Sequence, residues 1–134
     1  VKLWKLRTGE LVQQLSGHFS SINTVVITPD AKQVISASKD RTIKIWDLAK
    51  GTVIRTLSGH SDSVNAIALS SNGKTLVSGS SDTTIKIWDL ETGNLTRTLT
   101  DHSNAVNAVA LSPDGRCVVS GGSDNTVRVW RIAP

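Results

Sequence analysis

His60, Ser78 and Asp82, with Trp88 close behind, are the residues of this chain whose types could do chemistry. A serine activated by a histidine that an aspartate orients performs acyl transfer in many hydrolases. The same types recur, however. Histidines stand at His18, His60 and His102, and aspartates at Asp40, Asp82 and Asp124. Tryptophans stand at Trp4, Trp46, Trp88 and Trp130, one every 42 residues. A hydrolase needs one such set, preorganised in one pocket, and this chain repeats it at a fixed distance from a tryptophan. No Gly-x-Ser-x-Gly elbow surrounds any of the serines. The repetition therefore favours a structural use. A half-buried indole N–H needs an acceptor, and a buried carboxylate needs donors. A linked set of this kind ties one loop to another, and leaving one member unpaired costs on the order of 1–3 kcal/mol.

The elements that must position these residues repeat with them. One copy runs from Asn23 to His60, the next from Asn65 to His102, and a third from Asn107 onward. Each opens on a short apolar run (Thr24–Ile27, Ala66–Leu69, Ala108–Leu111) and then a turn (Pro29-Asp30-Ala31, Ser71-Asn72-Gly73, Pro113-Asp114-Gly115). Pro presets φ, and Asn or Asp before Gly tolerates positive φ, so these turns suit hairpins. A second apolar run follows (Gln33–Ala37, Thr75–Gly79, Cys117–Gly121), then a polar turn that carries the periodic aspartate. The third run alternates strictly: Thr42–Trp46, Thr84–Trp88 and Thr126–Trp130. A glycine turn leads to a fourth run, Val53–Leu57 or Leu95–Leu99. Period-2 alternation with short connections predicts four antiparallel strands per copy and no helix. A single four-stranded sheet cannot hide both apolar faces, whereas sheets stacked around an axis can.

Composition agrees with an all-β chain. Apolar residues make up 38% of the 134 and aromatics 4%, so the apolar share is mostly Val, Ile, Leu and Ala. No stretch of 18 apolar residues spans a bilayer, and the start has no signal-peptide pattern. Both favour a cytoplasmic location and no membrane. The net charge of +4 comes from scattered residues without a run of five Lys or Arg, which argues against a nucleic-acid partner. The row Lys44, Lys86 and Arg128 suits a solvated stripe. Cys117 is the single cysteine and lies in an apolar run, where a buried inert thiol is expected. No metal-ligand spacing occurs, and no cofactor is expected.

The chain resembles the WD (Trp-Asp) repeat β-propellers. The resemblance rests on Gly17-His18, Gly59-His60, the aspartate turns, and Trp46-Asp47 and Trp88-Asp89. Departures are Asp101-His102, Trp130-Arg131 and Trp4-Lys5. By resemblance, the four runs are strands a to d of a blade, from axis to rim. It also implies hydrogen-bonded tetrads His18/Ser36/Asp40/Trp46, His60/Ser78/Asp82/Trp88 and His102/Ser120/Asp124/Trp130. Separate blades would keep the three histidines apart, which excludes a shared metal site. The top-face positions implied are Ser21, Asn23 and Lys39, then Ser63, Asn65 and Ser81, then Ala105, Asn107 and Ser123. They are mostly small and polar, without the Trp, Tyr and Arg common at hot spots.

Strand bookkeeping then predicts a partial blade at 1–18 (strand c in Val1–Leu6, strand d in Leu11–Leu15), blades at 19–60 and 61–102, and a last blade at 103–134 without its outer strand. Three blades cannot close a ring, since propellers typically have four to eight. The start in mid-blade, without Met, points to a piece of something longer. Ring closure by assembly is expected as well, with Leu11–Leu15 of one chain completing the last blade of another. A dimer of six blades is favoured over a trimer of nine. Val1–Leu6 and Thr126–Ile132 would then compete for one strand-c position. The function expected is a non-enzymatic interaction scaffold for protein or peptide. The alternatives are a structural or engineered array without ligand, and the regulatory domain of a larger enzyme. Phe19, Asp62 and Glu91 are loop residues outside the repeat without acid–base partners at useful spacing.

Overall fold

In the computed structural model, which describes residues 1–132, the chain is all-β, with no helix among the described residues. Among the described residues, thirteen strands form four antiparallel sheets. The first is a hairpin of β1 (Lys2–Trp4) and β2 (Leu11–Gln14). The second holds β3 (Ile22–Ile27), β4 (Gln33–Ser38), β5 (Thr42–Asp47) and β6 (Thr52–Ser58), in that order across the sheet. The third holds β7 (Val64–Leu69), β8 (Thr75–Ser80), β9 (Ile85–Asp89) and β10 (Leu95–Leu99). The fourth holds only β11 (Val106–Leu111), β12 (Cys117–Gly122) and β13 (Val127–Arg131). These are propeller blades, two of them complete. Residues 133 and 134, which the expected last blade 103–134 includes, lie outside the described residues. So does any question of a strand d there.

Alternation explains which faces are apolar. In β5, Ile43 and Ile45 point into the core while Lys44 stays half-exposed. The central strands β4 and β8 are covered on both faces. The core consists of seams between neighbouring sheets rather than a single centre. Ile35, Ile43 and Ile45 of one blade meet Val64, Ile67, Leu76 and Trp88 of the next. Val77, Ile85 and Ile87 meet Val106 and Val118 in the same way. Each buried Ile or Val contributes roughly 1.5–3 kcal/mol of transfer free energy. Gly79 belongs to this fit, because a Cβ there would stand 2.7 Å from Val106. The β1–β2 hairpin leans on the first complete blade through Leu15, which packs with Val34 and Trp46.

The turns set the register. After each strand a, the chain reverses through a left-handed residue: Ala31 (φ 59°), Gly73 (73°) and Gly115 (71°). In the first of these, the Ala31 N–H donates to the Thr28 carbonyl at 2.8 Å. A second left-handed position, in the turn between strands b and c, holds Arg41, Thr83 and Asn125. Each strand a also carries one extra residue against strand b, at Asn23, Asn65 and Asn107. Such bulges re-aim a side chain out of the regular pleat, and here the residue re-aimed is an asparagine.

Candidate functional site

Each blade brings one loop, one turn and two strands together around a histidine. In the middle blade, Trp88 Nε1 donates to Ser78 Oγ at 2.9 Å. Ser78 Oγ lies 2.7 Å from His60 Nε2, and His60 Nδ1 lies 2.7 Å from Asp82 Oδ2. The flanking blades match. Trp46 donates to Ser36 at 2.8 Å, Ser36 meets His18 at 2.7 Å, and His18 meets Asp40 at 2.7 Å. Trp130, Ser120, His102 and Asp124 are linked at 2.9, 2.7 and 2.8 Å. All donors and acceptors are matched if each imidazole carries its proton on Nδ1. The serine hydroxyl then donates to Nε2 while accepting from the indole. No buried side-chain polar atom among the described residues lacks a partner.

Residues not singled out from the sequence complete these networks. Thr42, Thr84 and Thr126 donate to the second carboxylate oxygen of the aspartate, each at 2.6 Å. The first oxygen also accepts the backbone N–H of Phe19, Ser61 or Ser103. Ser38 Oγ donates to the Ser21 carbonyl at 2.9 Å, and Ser80 Oγ to the Ser63 carbonyl at 2.8 Å. The signal was in the sequence, since the threonines keep the 42-residue step without exception. The serines keep it twice and give way to Gly122.

Electrostatics follow from this geometry. Burial alone would raise the carboxyl pKa of Asp82, but hydrogen bonds from Thr84 and His60 outweigh it and hold the group below the usual 3.8. Asp40 is lowered further on the same balance, with Thr42 the strongest donor. For Asp124 the Thr126 hydroxyl is the largest influence, and again the pKa is lowered. His60 moves down from 6.5 because burial disfavours its cation more than Asp82 favours it. The Asp–His–Ser order matches that of a general-base pair, but Ser36, Ser78 and Ser120 are buried and each oxygen also accepts an indole N–H, which leaves no approach for a substrate. The three sets stay in three sheets and do not converge. A groove of about 470 Å³ between the last two blades is lined by Thr75, Trp88, Asp89, Glu91 and Arg97 among others, and by no histidine.

The loops above the networks hold the nine other residues singled out from the sequence. Lys39, Ser21 and Ser123 are exposed, and Ser63, Ser81 and Ala105 are half-buried. Two of the three asparagines bridge blades. Asn23 Nδ2 donates to the Val64 carbonyl at 2.9 Å, and Asn65 Nδ2 to the Val106 carbonyl at 3.0 Å. Asn107 Nδ2 donates only within its own blade, to Ser123 Oγ at 2.8 Å.

The departures from the repeat have local consequences. At Gly17 and Gly59 an added Cβ would lie 3.0 and 3.2 Å from the ring of Trp46 or Trp88. Asp101 takes that place in the last blade, where it pairs with Arg128, and Trp130 is only half-buried.

The family model for the WD domain, G-beta repeat, matches residues 9–47, 51–89 and 93–131. The chain belongs to the WD40 repeat family. Each match begins on the outermost strand, or the turn before it, of one sheet and runs through strands a, b and c of the next. The WD40 sequence unit is thus offset from the blade by one strand. WD40 repeats in general mediate protein–protein contacts and are typically non-catalytic. A comparison with curated proteins found no match.

Proposed function

We propose that the chain is a non-enzymatic WD40 scaffold segment that takes a protein or peptide on its upper loops and closes a ring with a second copy of itself. The observation that carries the reading is the full internal use of the His–Ser–Asp–Trp sets. In each blade the serine is buried and its oxygen accepts the tryptophan indole N–H, so the set faces its own blade and not a ligand, while Lys39, Ser21 and Ser123 remain open above. The networks hold the upper loops in place, and the loops present the contact groups. Ser63, Asn65, Ser81, Ala105, Asn23 and Asn107 belong to the same surface. Asn23 and Asn65 contribute mainly by fixing neighbouring blades in register.

Panning a random peptide library against the folded chain tests the contact surface. Selected peptides should lose at least tenfold in affinity on Lys39→Glu or Ser81→Arg and be indifferent to changes on the outer strands. Peptides that bind equally well to both variants would defeat the assignment. The mass of the native species tests assembly, a value near twice 14.3 kDa being expected. A folded species of 14.3 kDa at micromolar concentration would defeat it.

A further inference from the structure

We infer that Asn72-Gly73, in the turn between β7 and β8, is a site of spontaneous deamidation, gated by opening of that turn, and that the reaction gives this blade the aspartate its two neighbours already carry. The chain holds one Asn-Gly step. Such a step is the least hindered place for a backbone nitrogen to attack a side-chain amide, because the attacking residue has no Cβ. Asn72 is exposed to solvent. The Gly73 nitrogen adds to Cγ of Asn72, the Cγ–Nδ2 bond breaks, and ammonia leaves with the proton lost from the Gly73 N–H. A five-membered succinimide remains in the main chain, and water opens it. Breaking the bond from nitrogen to Cγ gives aspartate in a normal main chain. Breaking the bond from nitrogen to the original backbone carbonyl gives isoaspartate, whose main chain runs through Cβ and Cγ. Overall, one water is taken up and one ammonia released.

The native turn makes no use of the group that leaves. Asn72 Oδ1 accepts from Ser70 Oγ at 2.7 Å and from the Lys74 N–H at 3.0 Å, while Nδ2 makes no hydrogen bond among the described residues. The equivalent turns show what an aspartate does there. Asp30 Oδ1 accepts from Thr28 Oγ1 at 2.6 Å and from the Lys32 N–H at 3.0 Å. Asp114 Oδ1 accepts from Ser112 Oγ at 2.6 Å and from the Arg116 N–H at 3.0 Å. The hydroxyl donor, then the backbone donor, hold both carboxyls below the usual 3.8, and the Lys32 or Arg116 charge adds to this. Ser70 and Lys74 occupy the same places in the middle blade. The turn therefore already has the donors and the cation that a carboxylate at position 72 needs.

The same bonds keep the two reacting groups occupied. The Gly73 N–H donates to the Ser70 carbonyl at 2.9 Å, and Ser70 Oγ also accepts the Thr75 N–H at 2.9 Å. An added Cβ on Gly73 would lie 3.3 Å from Pro29 of the preceding blade, so the turn is backed on that side. Attack requires the Gly73 N–H to leave Ser70, and the Asn72 side chain to leave Ser70 Oγ and the Lys74 N–H. Exposed turns open at far lower cost than the whole fold, so the reaction proceeds in the native chain at a rate set by that opening. The aspartyl product closes the turn again. The isoaspartyl product carries an extra main-chain carbon, which displaces Gly73 from its left-handed conformation and Ser70 from Thr75. Conversion also adds a negative charge to a groove of about 430 Å³ between the two complete blades, which Arg55 and Lys74 line.

Ageing the folded chain in mildly alkaline buffer, beside a sample in urea, tests the assignment. Chromatography and mass spectrometry of the peptide spanning β7 and β8 resolve the asparaginyl, aspartyl and isoaspartyl forms. The folded chain should convert at Asn72 about tenfold or more slowly than the urea sample, and Ser70→Ala should narrow that gap about threefold without changing the urea rate. Asn72→Asp should fold with a thermal midpoint no lower than that of the parent chain. Equal rates in the folded and urea samples would overturn the gating, whether or not Ser70→Ala folds. A folded chain that stays unconverted while the urea sample runs to completion would overturn the site. A lowered midpoint for Asn72→Asp would show that the turn rejects the product, and would overturn its likeness to the other two.

Discussion

The middle and last blades carry the same polar network at nearly the same distances, yet they differ in what leans on them. His60 and His102 each meet their serine at 2.7 Å. Thr84 and Thr126 each meet their aspartate at 2.6 Å. Beside the first network, Ile85 and Ile87 are buried by the next sheet, and beside the second, Val127 and Val129 face solvent. The network is thus a property of one blade, built from its own loop, turn and strands. The apolar seam is a property of two blades. Local hydrogen bonds give each blade its shape, and neighbours supply most of the burial, the division of labour expected of repeat architectures.

Truncating the same position in both blades should give the largest difference between them. Ile85→Ala removes a side chain buried on all sides and should cost about 2–5 kcal/mol. Val127→Ala should change the stability of the isolated chain by less than about 0.5 kcal/mol, as exposed substitutions usually do. Urea denaturation at low protein concentration measures both. Equal losses would mean that Val127 is already covered, and at higher concentration its loss should grow if a second copy docks there.

Network variants come next in size. Ser78→Ala leaves the Trp88 indole and His60 Nε2 without partners in a dry seam and should cost about 1–3 kcal/mol. Ser120→Ala should cost less, because Trp130 is only half-buried and water can reach its N–H. Differential scanning calorimetry separates the two. If they lose the same amount, burial by the next blade does not strengthen the network.

Acid should act on the middle blade in two steps of smaller size. The folded pKa of His60 lies below 6.5, so the unfolded chain binds a proton first. Its contribution is complete above pH 6.5 and declines as pH falls through that value toward the folded pKa. Asp82 is also lowered, from 3.8, so its share is complete above 3.8 and declines on further acidification. Urea midpoints between pH 8 and pH 3 should therefore fall first below about 6.5 and again below about 4. His60→Gln should flatten the first decline, and an unchanged profile in that variant would assign it elsewhere.

Much of this organisation was legible in the sequence because it repeats locally. Alternation in Thr42–Trp46 and turns such as Asn72-Gly73 depend on neighbours along the chain, and the strands fall where those patterns put them. The residue types of the networks could be read from their 42-residue step, but the bonds among them join positions 10 to 22 apart that no local pattern specifies. The bridging use of Asn23 and Asn65 was hidden for a stronger reason. It depends on a bulge that turns the side chain out of the pleat and on a carbonyl one blade further along. Composition at those positions suggests only a polar loop residue open to a partner.

The left-handed residue in the turn between strands b and c was also illegible, although the turn itself was not, and it yields the smallest effect. Thr83 sits there at φ 75°, where a β-branched side chain crowds the backbone, and Asn125 holds the same place in the last blade at φ 64°. Asparagine enters this region more readily than most residues, because its short polar side chain bonds locally. The Thr83 side chain donates no hydrogen bond among the described residues, and the turn is closed by its backbone N–H to the Ser80 carbonyl at 3.2 Å. Thr83→Asn keeps that bond, relieves the crowding, and should stabilise the chain by about 0.5–1 kcal/mol. The reverse change, Asn125→Thr, should destabilise the last blade by a similar amount. Thermal midpoints that move in the same direction for both would show that the side chains act through contacts rather than through backbone strain. The two blades would then differ at this turn in more than the one residue.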